Sequence, residues 1–247
     1  MGVPIAIGIG VIKEKNIIML EKLKEEVFEA NLDLVREGLV IHTWGNASGR
    51  DSETGCIVIK PSGVSYESMK PADMVVIYPD GKIAEGKYKP STDAPTHLYL
   101  YSKWKNIGGV VHTHSSFATS WAQSGRAIPP LGTTHADHFF GEVRCTRELK
   151  PAEIKNDYEL NTGKVILETL GKLDPLVLPA VLVYNHGPFA WGKDVTTAVY
   201  NAIALEEIAR MAFYTSLLGK MKPVSKTLLD KHYYRKHGKD AYYGQIK

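Results

Sequence analysis

Histidines at two places in the sequence could bind a metal ion. His112 and His114 lie at the end of an apolar run, residues 109–113, that predicts a β-strand. Residues two apart on a strand point to the same face, so the two imidazoles should meet. Alone, this pair is more typical of ordinary polar residues at a strand end than of a metal site. His186 follows a second predicted strand, residues 180–184, and three histidines at strand ends could form a site with open coordination positions.

Asp93 is a fourth candidate ligand, although its position also fits another role. It precedes Ala94-Pro95 at the start of a predicted helix over residues 96–104. Aspartate directly before such a start is a typical N-cap, because its carboxylate accepts a bond from a free backbone N–H group. On these residues alone, capping is favoured over metal binding.

Three short polar loops could bind a phosphate group. Small residues let backbone N–H groups approach an anion, and hydroxyl groups add further donors. Lys60 lies two residues before the second loop and could add positive charge. Each loop is also typical of an ordinary turn, so phosphate binding requires that all three converge. They are Gly45-Asn46, Ser62-Gly63 and Ser91-Thr92.

The composition is that of a globular protein with one large domain or two small ones. Of the 247 residues, 44% are hydrophobic and 23% charged. The net charge is only +3, and the basic cluster of residues 231–239 is typical of either a solvated face or an anion-binding surface. No segment reaches the roughly 20 apolar residues of a membrane span. We therefore expect neither nucleic acid nor membrane as a partner.

The two cysteines argue against a disulfide framework or a structural zinc site. Cys56 and Cys145 form no C-x-x-C pair, which also excludes a thioredoxin-like redox motif. Such low cysteine usage favours a reducing compartment, and we expect the protein in the cytoplasm.

Helices and strands alternate without the regular rhythm of a parallel βαβ fold. The sequence contains no dinucleotide fingerprint and no P-loop. We predict one α/β domain with a mixed central sheet and helices on both sides. The predicted strands cover residues 40–44, 56–59, 74–78, 109–113, 180–184 and 189–191. The first predicted helix begins at Met19, and three further helices are predicted over residues 96–104, 156–170 and 195–218.

The first 18 residues are interpreted as an extension of unknown role. Residues 1–12 are apolar and rich in Gly and Ile, and they lack the basic start of a secretory signal. Met19 opens an amphipathic helix and would serve as a start of its own. The domain is therefore placed at residues 19–247.

Taken together, several segments resemble the class II aldolase and adducin family. They occur in order between about Met19 and Gln245, and include Thr43-Trp44-Gly45-Asn46 and Gly132-Thr133-Thr134-His135-Ala136-Asp137. The family typically carries Glu at the position of Asp93 in its metal-dependent aldolases, so this chain is similar to the epimerase branch. Thr92 stands where Ser is common, which keeps the hydroxyl group. The remaining matches are residues 59–64, 90–97, 108–115, 186–192 and 228–245.

The resemblance implies a role for each matching residue. It favours metal binding over capping for Asp93, without excluding both roles. The implied metal ligands are Asp93, His112, His114 and His186. The implied substrate and phosphate positions are Gly45, Asn46, Lys60, Ser62, Gly63, Ser91, Thr92 and Asp93. The implied acid/base residues are Asp137 and Tyr243.

The resemblance also implies a fold, a cofactor and a reaction. The fold is a single domain with a largely antiparallel sheet, assembled as a homotetramer in which Asp137 and Tyr243 lie across the subunit interface from the metal. The cofactor is one divalent ion per subunit, Zn²⁺ with Mn²⁺ or Co²⁺ as alternatives. The implied reaction, as in arabinose catabolism and pentose phosphate metabolism, interconverts L-ribulose 5-phosphate and D-xylulose 5-phosphate by cleaving C3–C4, rotating the aldehyde and re-adding it.

Two other functions are compatible with the same resemblance. An aldolase of the family would act on a sugar 1-phosphate, but Asp93 in place of Glu argues against it. A non-catalytic, adducin-like interaction module need not keep metal ligands, and the presence of all four ligand-type residues argues against that alternative.

Overall fold

The computed structural model describes residues 14–239 and 241–243, with side chains from Leu20 onward. Residues 1–13 of the predicted extension lie outside this part. The first helix, α1 (Glu14–Arg36), begins five residues before Met19. The predicted start at Met19 is therefore wrong. The physical reason is that residues 14–18 contain no Gly or Pro, which would stop a helix. The domain boundary at residue 19 stays a prediction.

A seven-stranded antiparallel sheet forms the centre of the described part. In space its strands follow the order β4-β3-β2-β1-β5-β7-β6, and every ladder between neighbours is antiparallel. Among the described residues, the parallel component is one isolated bridge between Cys145 and Leu182. The predicted α/β class with a largely antiparallel sheet is thus confirmed. The strands are β1 (Gly45–Arg50), β2 (Ile57–Ile59), β3 (Val75–Ile77), β4 (Ile83–Glu85), β5 (Gly109–Thr113), β6 (Ala180–Val183) and β7 (Gly187–Gly192).

Helices cover both faces of this sheet. Besides α1 they are α2 (Ala94–Lys103), α3 (Ser116–Gln123), α4 (Thr133–Ala136), α5 (Pro151–Lys155), α6 (Tyr158–Leu170), α7 (Val195–Leu218) and α8 (Lys226–His237). Over the described residues, no helix is both long and apolar enough to cross a membrane.

Neighbouring residues of β1 show how the two helical layers are divided. The Ser48 side chain faces α2, where its hydroxyl lies 2.7 Å from His97 Nδ1. The next residue, Gly49, faces α1, because a Cβ there would lie 2.8 Å from Leu23. Alternate residues of a strand point to opposite faces, so α1 and α2 lie on opposite sides of the sheet.

The loop before β1 was predicted as a strand, and that prediction is wrong. Residues 41–44 are all exposed, so no alternation of buried and exposed side chains exists. His42 has a positive φ of 54°, and the Trp44 N–H group donates to the Ile41 carbonyl in a turn. Val40 is buried, but pairing starts only at Gly45.

The C-terminal helix α8 was not predicted from the sequence. Its residues are mostly polar, and only Tyr233 among them is buried, so no apolar stripe marks the helix. Its start does carry a local signal, because the Ser225 hydroxyl accepts the N–H group of Leu228. This cap fixes the start of α8 shortly after Pro223, and the helix that follows contacts Asp137.

Candidate active site

Three histidine side chains converge at one end of the central strands. His112 is the fourth residue of β5, His114 follows that strand, and His186 lies in the turn between β6 and β7. One ring nitrogen from each lies within 4.8 Å of the others. The Nε2 atoms of His112 and His114 are 3.1 Å apart. The prediction that His112 and His114 point to the same side and meet is therefore confirmed.

The ring of His112 is held in one orientation and one tautomer. Its Nδ1 atom lies 3.0 Å from the Pro188 carbonyl, which can only accept, so Nδ1 carries the proton. Phe189, its partner across the ladder, stacks on the ring at 4.2 Å. The lone pair of Nε2 is therefore directed at His114, as a metal ligand requires.

His114 and His186 are neutral at physiological pH. Partial burial lowers the pKa of His114, and the adjacent His112 lowers it further. Burial, together with His112 and His114, lowers the pKa of His186 well below its usual value. A neutral imidazole is the form that binds metal, and so this cluster has the chemistry of a ligand set.

Asp93 faces the histidines instead of capping its helix. It occupies the N-cap position of α2 but makes no capping bond, so the capping prediction is wrong. Its Oδ2 accepts a 2.7 Å bond from the Asn46 amide. Burial raises the pKa of Asp93, but His112, His97 and the Asn46 bond lower it more, and the net pKa is below the usual value. The cluster of mutually close ligand atoms itself comprises the three histidines without Asp93.

The three polar loops also meet in this cleft. The Ser62 N–H group donates to the Lys89 carbonyl, and the Ser91 N–H group donates to the Lys60 carbonyl, both at 2.9 Å. These bonds hold the second and third loops side by side. The cleft has a volume of about 600 Å³, within the range of small-molecule sites. Its lining includes Gly45, Asn46, Lys60, Ser62, Gly63, Ser91, Thr92, Asp93, His112, His114 and His186.

Two of these loop positions require glycine. Gly45 has a φ of 151°, and a Cβ there would lie 2.5 Å from the Val40 side chain and 3.0 Å from the His112 carbonyl. Gly63 has a φ of 70°, a left-handed conformation that other residues rarely adopt. Both glycines therefore shape the backbone around the cleft.

Lys60 is a buried lysine at the floor of the cleft. Its ammonium group donates to the carbonyls of Pro61 at 3.2 Å and Val64 at 2.8 Å, which fixes the loop between them. It also lies 4.7 Å from the centre of the Tyr66 ring. Burial lowers the pKa of Lys60 to about 8.

Two residues at this site were missed in the sequence. Tyr158, at the start of α6, lines the cleft and its hydroxyl lies 3.3 Å from His186 Nδ1. His97 is fully buried beneath Asp93, and burial lowers its pKa to about 3. The sequence signal for His97 was its position one turn after Asp93 on a predicted helix; Tyr158 carried no such signal.

Asp137 and Tyr243 lie together, but they do not line this cleft. Asp137 follows α4, and its carboxylate accepts bonds from Arg235 and His232 of α8. Tyr243 is 61% exposed, and its ring lies 4.9 Å from the Arg235 guanidinium. Part of the basic cluster of residues 231–239 thus surrounds Asp137, while the histidine cleft and this pair occupy separate places on one chain.

Comparisons with known proteins identify relatives of both the sequence and the fold. Residues 25–213 match the Class II Aldolase and Adducin N-terminal domain. The L-ribulose-5-phosphate 4-epimerase UlaF of Salmonella paratyphi B is 58% identical over 227 residues, which cover 92% of this chain and 100% of that protein. The corresponding protein of Salmonella typhi has the same identity and coverage.

Solved structures share the architecture at lower sequence identity. An L-fuculose 1-phosphate aldolase has a TM-score of 0.75 and 23% identity, with 87% of this chain and 96% of that chain covered. The L-fuculose 1-phosphate aldolase of Glaciozyma antarctica has a TM-score of 0.74 and 16% identity, covering 93% and 86%. Identities this low show the fold alone. The family match and the 58% identity show more: the chain belongs to the class II aldolase and adducin family.

Proposed function

We propose that this protein is an L-ribulose-5-phosphate 4-epimerase, which interconverts L-ribulose 5-phosphate and D-xylulose 5-phosphate. The observation that carries the proposal is one cleft combining a cluster of three histidines with three polar loops suited to a phosphate. The 58% identity to proteins named for this activity supports it. The reaction would cleave the C3–C4 bond, rotate the aldehyde fragment and re-add it to the opposite face.

The donor set fits a divalent metal ion. The Nε2 atoms of His112 and His114 lie 3.1 Å apart. Because His112 donates its Nδ1 proton to the Pro188 carbonyl, the lone pair of its Nε2 is directed into the cluster. We propose that His112, His114, His186 and Asp93 hold one ion, Zn²⁺ with Mn²⁺ or Co²⁺ as alternatives. Such an ion would supply Lewis-acid stabilisation of the charge that develops on the ketose oxygens.

The loops would retain the phosphorylated fragment during its rotation. Lys60 and the hydroxyls of Ser62, Ser91 and Thr92 offer charge and donors on the same side of the cleft. Asn46 would orient Asp93 through its amide, and its buried Oδ1 has no partner, which suits a substrate hydroxyl. An aldehyde fragment that stays bound through its phosphate can rotate and present its other face, as inversion at C4 requires.

Inversion also needs proton carriers on both faces of the aldehyde. We propose Asp137 and Tyr243 for these roles. Because they do not line the cleft of their own chain, the proposal requires that a second subunit supplies them, in a homotetramer with sites at the interfaces. The proposed compartment is the cytoplasm, which agrees with two free cysteines.

The direct test is incubation of the purified protein with L-ribulose 5-phosphate. D-xylulose 5-phosphate should accumulate until the two sugars reach equilibrium. Release of dihydroxyacetone phosphate from a sugar 1-phosphate, without epimerisation, would identify an aldolase instead. Absence of both reactions and of bound metal would favour an interaction module.

We expect kcat/KM to depend on pH through the protonation state of Lys60. Because burial lowers the pKa of Lys60 to about 8 in the free protein, its ammonium loses a proton above that pH and attracts the phosphate less. We expect kcat/KM to fall as pH rises through about 8. Lys60→Arg should move the fall to higher pH, since a guanidinium stays charged. An unchanged midpoint in that variant would contradict the role, and inorganic phosphate binding offers an activity-free check.

Tyr158→Phe should weaken metal binding without removing a ligand. The Tyr158 hydroxyl is the partner of His186 Nδ1, and such partners orient the ring that binds the metal. We expect metal affinity to fall about tenfold, measured by competition with a chromogenic chelator. Tyr99→Phe, on helix α2, is the matched control. Equal affinities for both variants would show that His186 is oriented without Tyr158.

A further inference from the structure

One guanidinium group connects the two residues proposed to carry protons. Arg235 Nε lies 3.0 Å from Asp137 Oδ1, and Arg235 Nη2 lies 2.7 Å from Asp137 Oδ2. This two-pronged contact fixes both the position and the plane of the carboxylate, which a single bond would not. The Asp137 side chain is only 12% exposed, so water competes weakly for it.

The same arginine also holds Tyr243. The Arg235 guanidinium lies 4.9 Å from the centre of the Tyr243 ring, within the range of a cation–π contact. The Arg235 carbonyl accepts the N–H group of Tyr243 at 3.1 Å and that of Tyr242 at 3.0 Å. The end of the chain is thereby folded back onto the last turn of α8.

We propose that Arg235 is the positioning residue that sets Asp137 and Tyr243 in a fixed relation to each other. The proposal rests on the proposed epimerase function and extends it to a residue outside both the metal cleft and the acid/base pair. The proposal is geometric. The guanidinium group of Arg235 binds the Asp137 carboxylate with two N–H groups, while the face of that guanidinium and the Arg235 backbone carbonyl contact Tyr243. Neither acid/base residue can then move independently of the other.

Two other basic side chains near Asp137, Lys236 and His232, do not make the two-pronged contact of Arg235. Lys236 also approaches both residues, but its Nζ is 3.6 Å from Asp137 Oδ2, beyond hydrogen-bond distance. His232 donates a single bond to Asp137 Oδ1 at 3.0 Å, which does not fix the plane of the carboxylate. Burial raises the pKa of Asp137, while the bonds from Arg235 and His232 and the charge of Lys236 lower it more. The bond from Arg235 lowers the pKa of Asp137 more than any of the other contacts.

Arg235→Lys and Arg235→Gln test this role. Lysine keeps the charge but lacks the fork, and glutamine loses both. We expect kcat to fall about tenfold for Lys and about a hundredfold for Gln, since small misplacements of catalytic groups cost this much. KM and bound metal should stay within about twofold, because uniform binding and the metal cleft are untouched. The acid limb of the kcat profile should move to higher pH in the Gln variant, since Asp137 would lose a contact that lowers its pKa.

Two control variants and one rescue experiment separate positioning from loss of a surface ion pair. Arg147→Gln removes another guanidinium bound by two carboxylates, those of Glu153 and Glu168, and should leave activity unchanged. Lys236→Gln removes a charge from the same helix and should cost less than Arg235→Gln. Arg235→Gly with added guanidinium ion should regain part of its kcat, which a variant that merely fails to fold would not.

The outcomes are separable. If the unaltered protein does not epimerise L-ribulose 5-phosphate, the proposed function fails and this inference fails with it. If the unaltered protein is active and Arg235→Gln shows the same kcat and pH profile, the positioning role is refuted alone. A fall in kcat with lost metal, or without guanidinium rescue in Arg235→Gly, also refutes it. A fall with retained metal, a shifted acid limb and rescue supports it.

Discussion

His112→Asn should abolish metal binding and reduce epimerase turnover by at least about a thousandfold. His112 is the most buried of the three clustered histidines. Its ring stacks on Phe189 and is bonded through Nδ1 to the Pro188 carbonyl. Asparagine is too short to reach the lone-pair position of Nε2. Metal content should be measured by atomic emission on the purified variant, together with kcat.

The matched control is His42→Asn. His42 is exposed and has a φ of 54°, a conformation that asparagine tolerates well, so the fold should be unaffected. This variant should keep both metal and activity. Chelation of the unaltered protein followed by addition of Zn²⁺, Mn²⁺ or Co²⁺ should abolish and then restore turnover. Activity that survives complete metal removal would refute the proposed site.

Mixing two inactive variants should restore activity. His112→Asn chains lack the metal site and keep Tyr243, whereas Tyr243→Phe chains keep the metal and lack the phenol. If each site combines the cleft of one subunit with Tyr243 of a neighbour, random mixing gives an intact site in roughly one pairing of four. We therefore expect co-expressed chains to reach about a quarter of the unaltered activity per site.

The single variants define what this experiment means. Tyr243→Phe alone should lower kcat by about a hundredfold or more with its metal content intact, because only the proton carrier is removed. Loss of metal in that variant would contradict the assigned role. Co-expressed chains that stay inactive, although they form mixed tetramers by mass spectrometry, would show that the site is complete within one chain. A monomer of full activity by light scattering would do the same.

Much of the fold could be predicted because the buried elements carry clear patterns. The helix predicted over residues 195–218 is α7 as observed, and the strand predicted over residues 109–113 is β5. Both consist largely of apolar residues, whose burial decides their structure. The convergence of His112 and His114 followed from the same regularity, since a strand fixes the direction of its side chains.

The remaining features depend on tertiary contacts that local patterns do not contain. Asp93 has the sequence of a helix cap, and only the Asn46 amide, 47 residues away, shows that its carboxylate is bound elsewhere. Helix α8 lacks an apolar stripe, and its hydrogen bonds to Asp137 join residues about a hundred positions apart. Tyr243 and Asp137 gained a proposed role from the family resemblance, not from their own surroundings in the sequence.

The orientation of Asp93 has a consequence for laboratory evolution. Helix α2 begins without a side-chain cap, which forgoes roughly 1 kcal/mol of folding free energy. A selection for heat resistance alone would reward changes that release the carboxylate from Asn46 and turn it towards the helix. Such variants would unfold at a higher temperature and have lower activity. A selection for thermostability in this protein therefore needs an activity screen at every round.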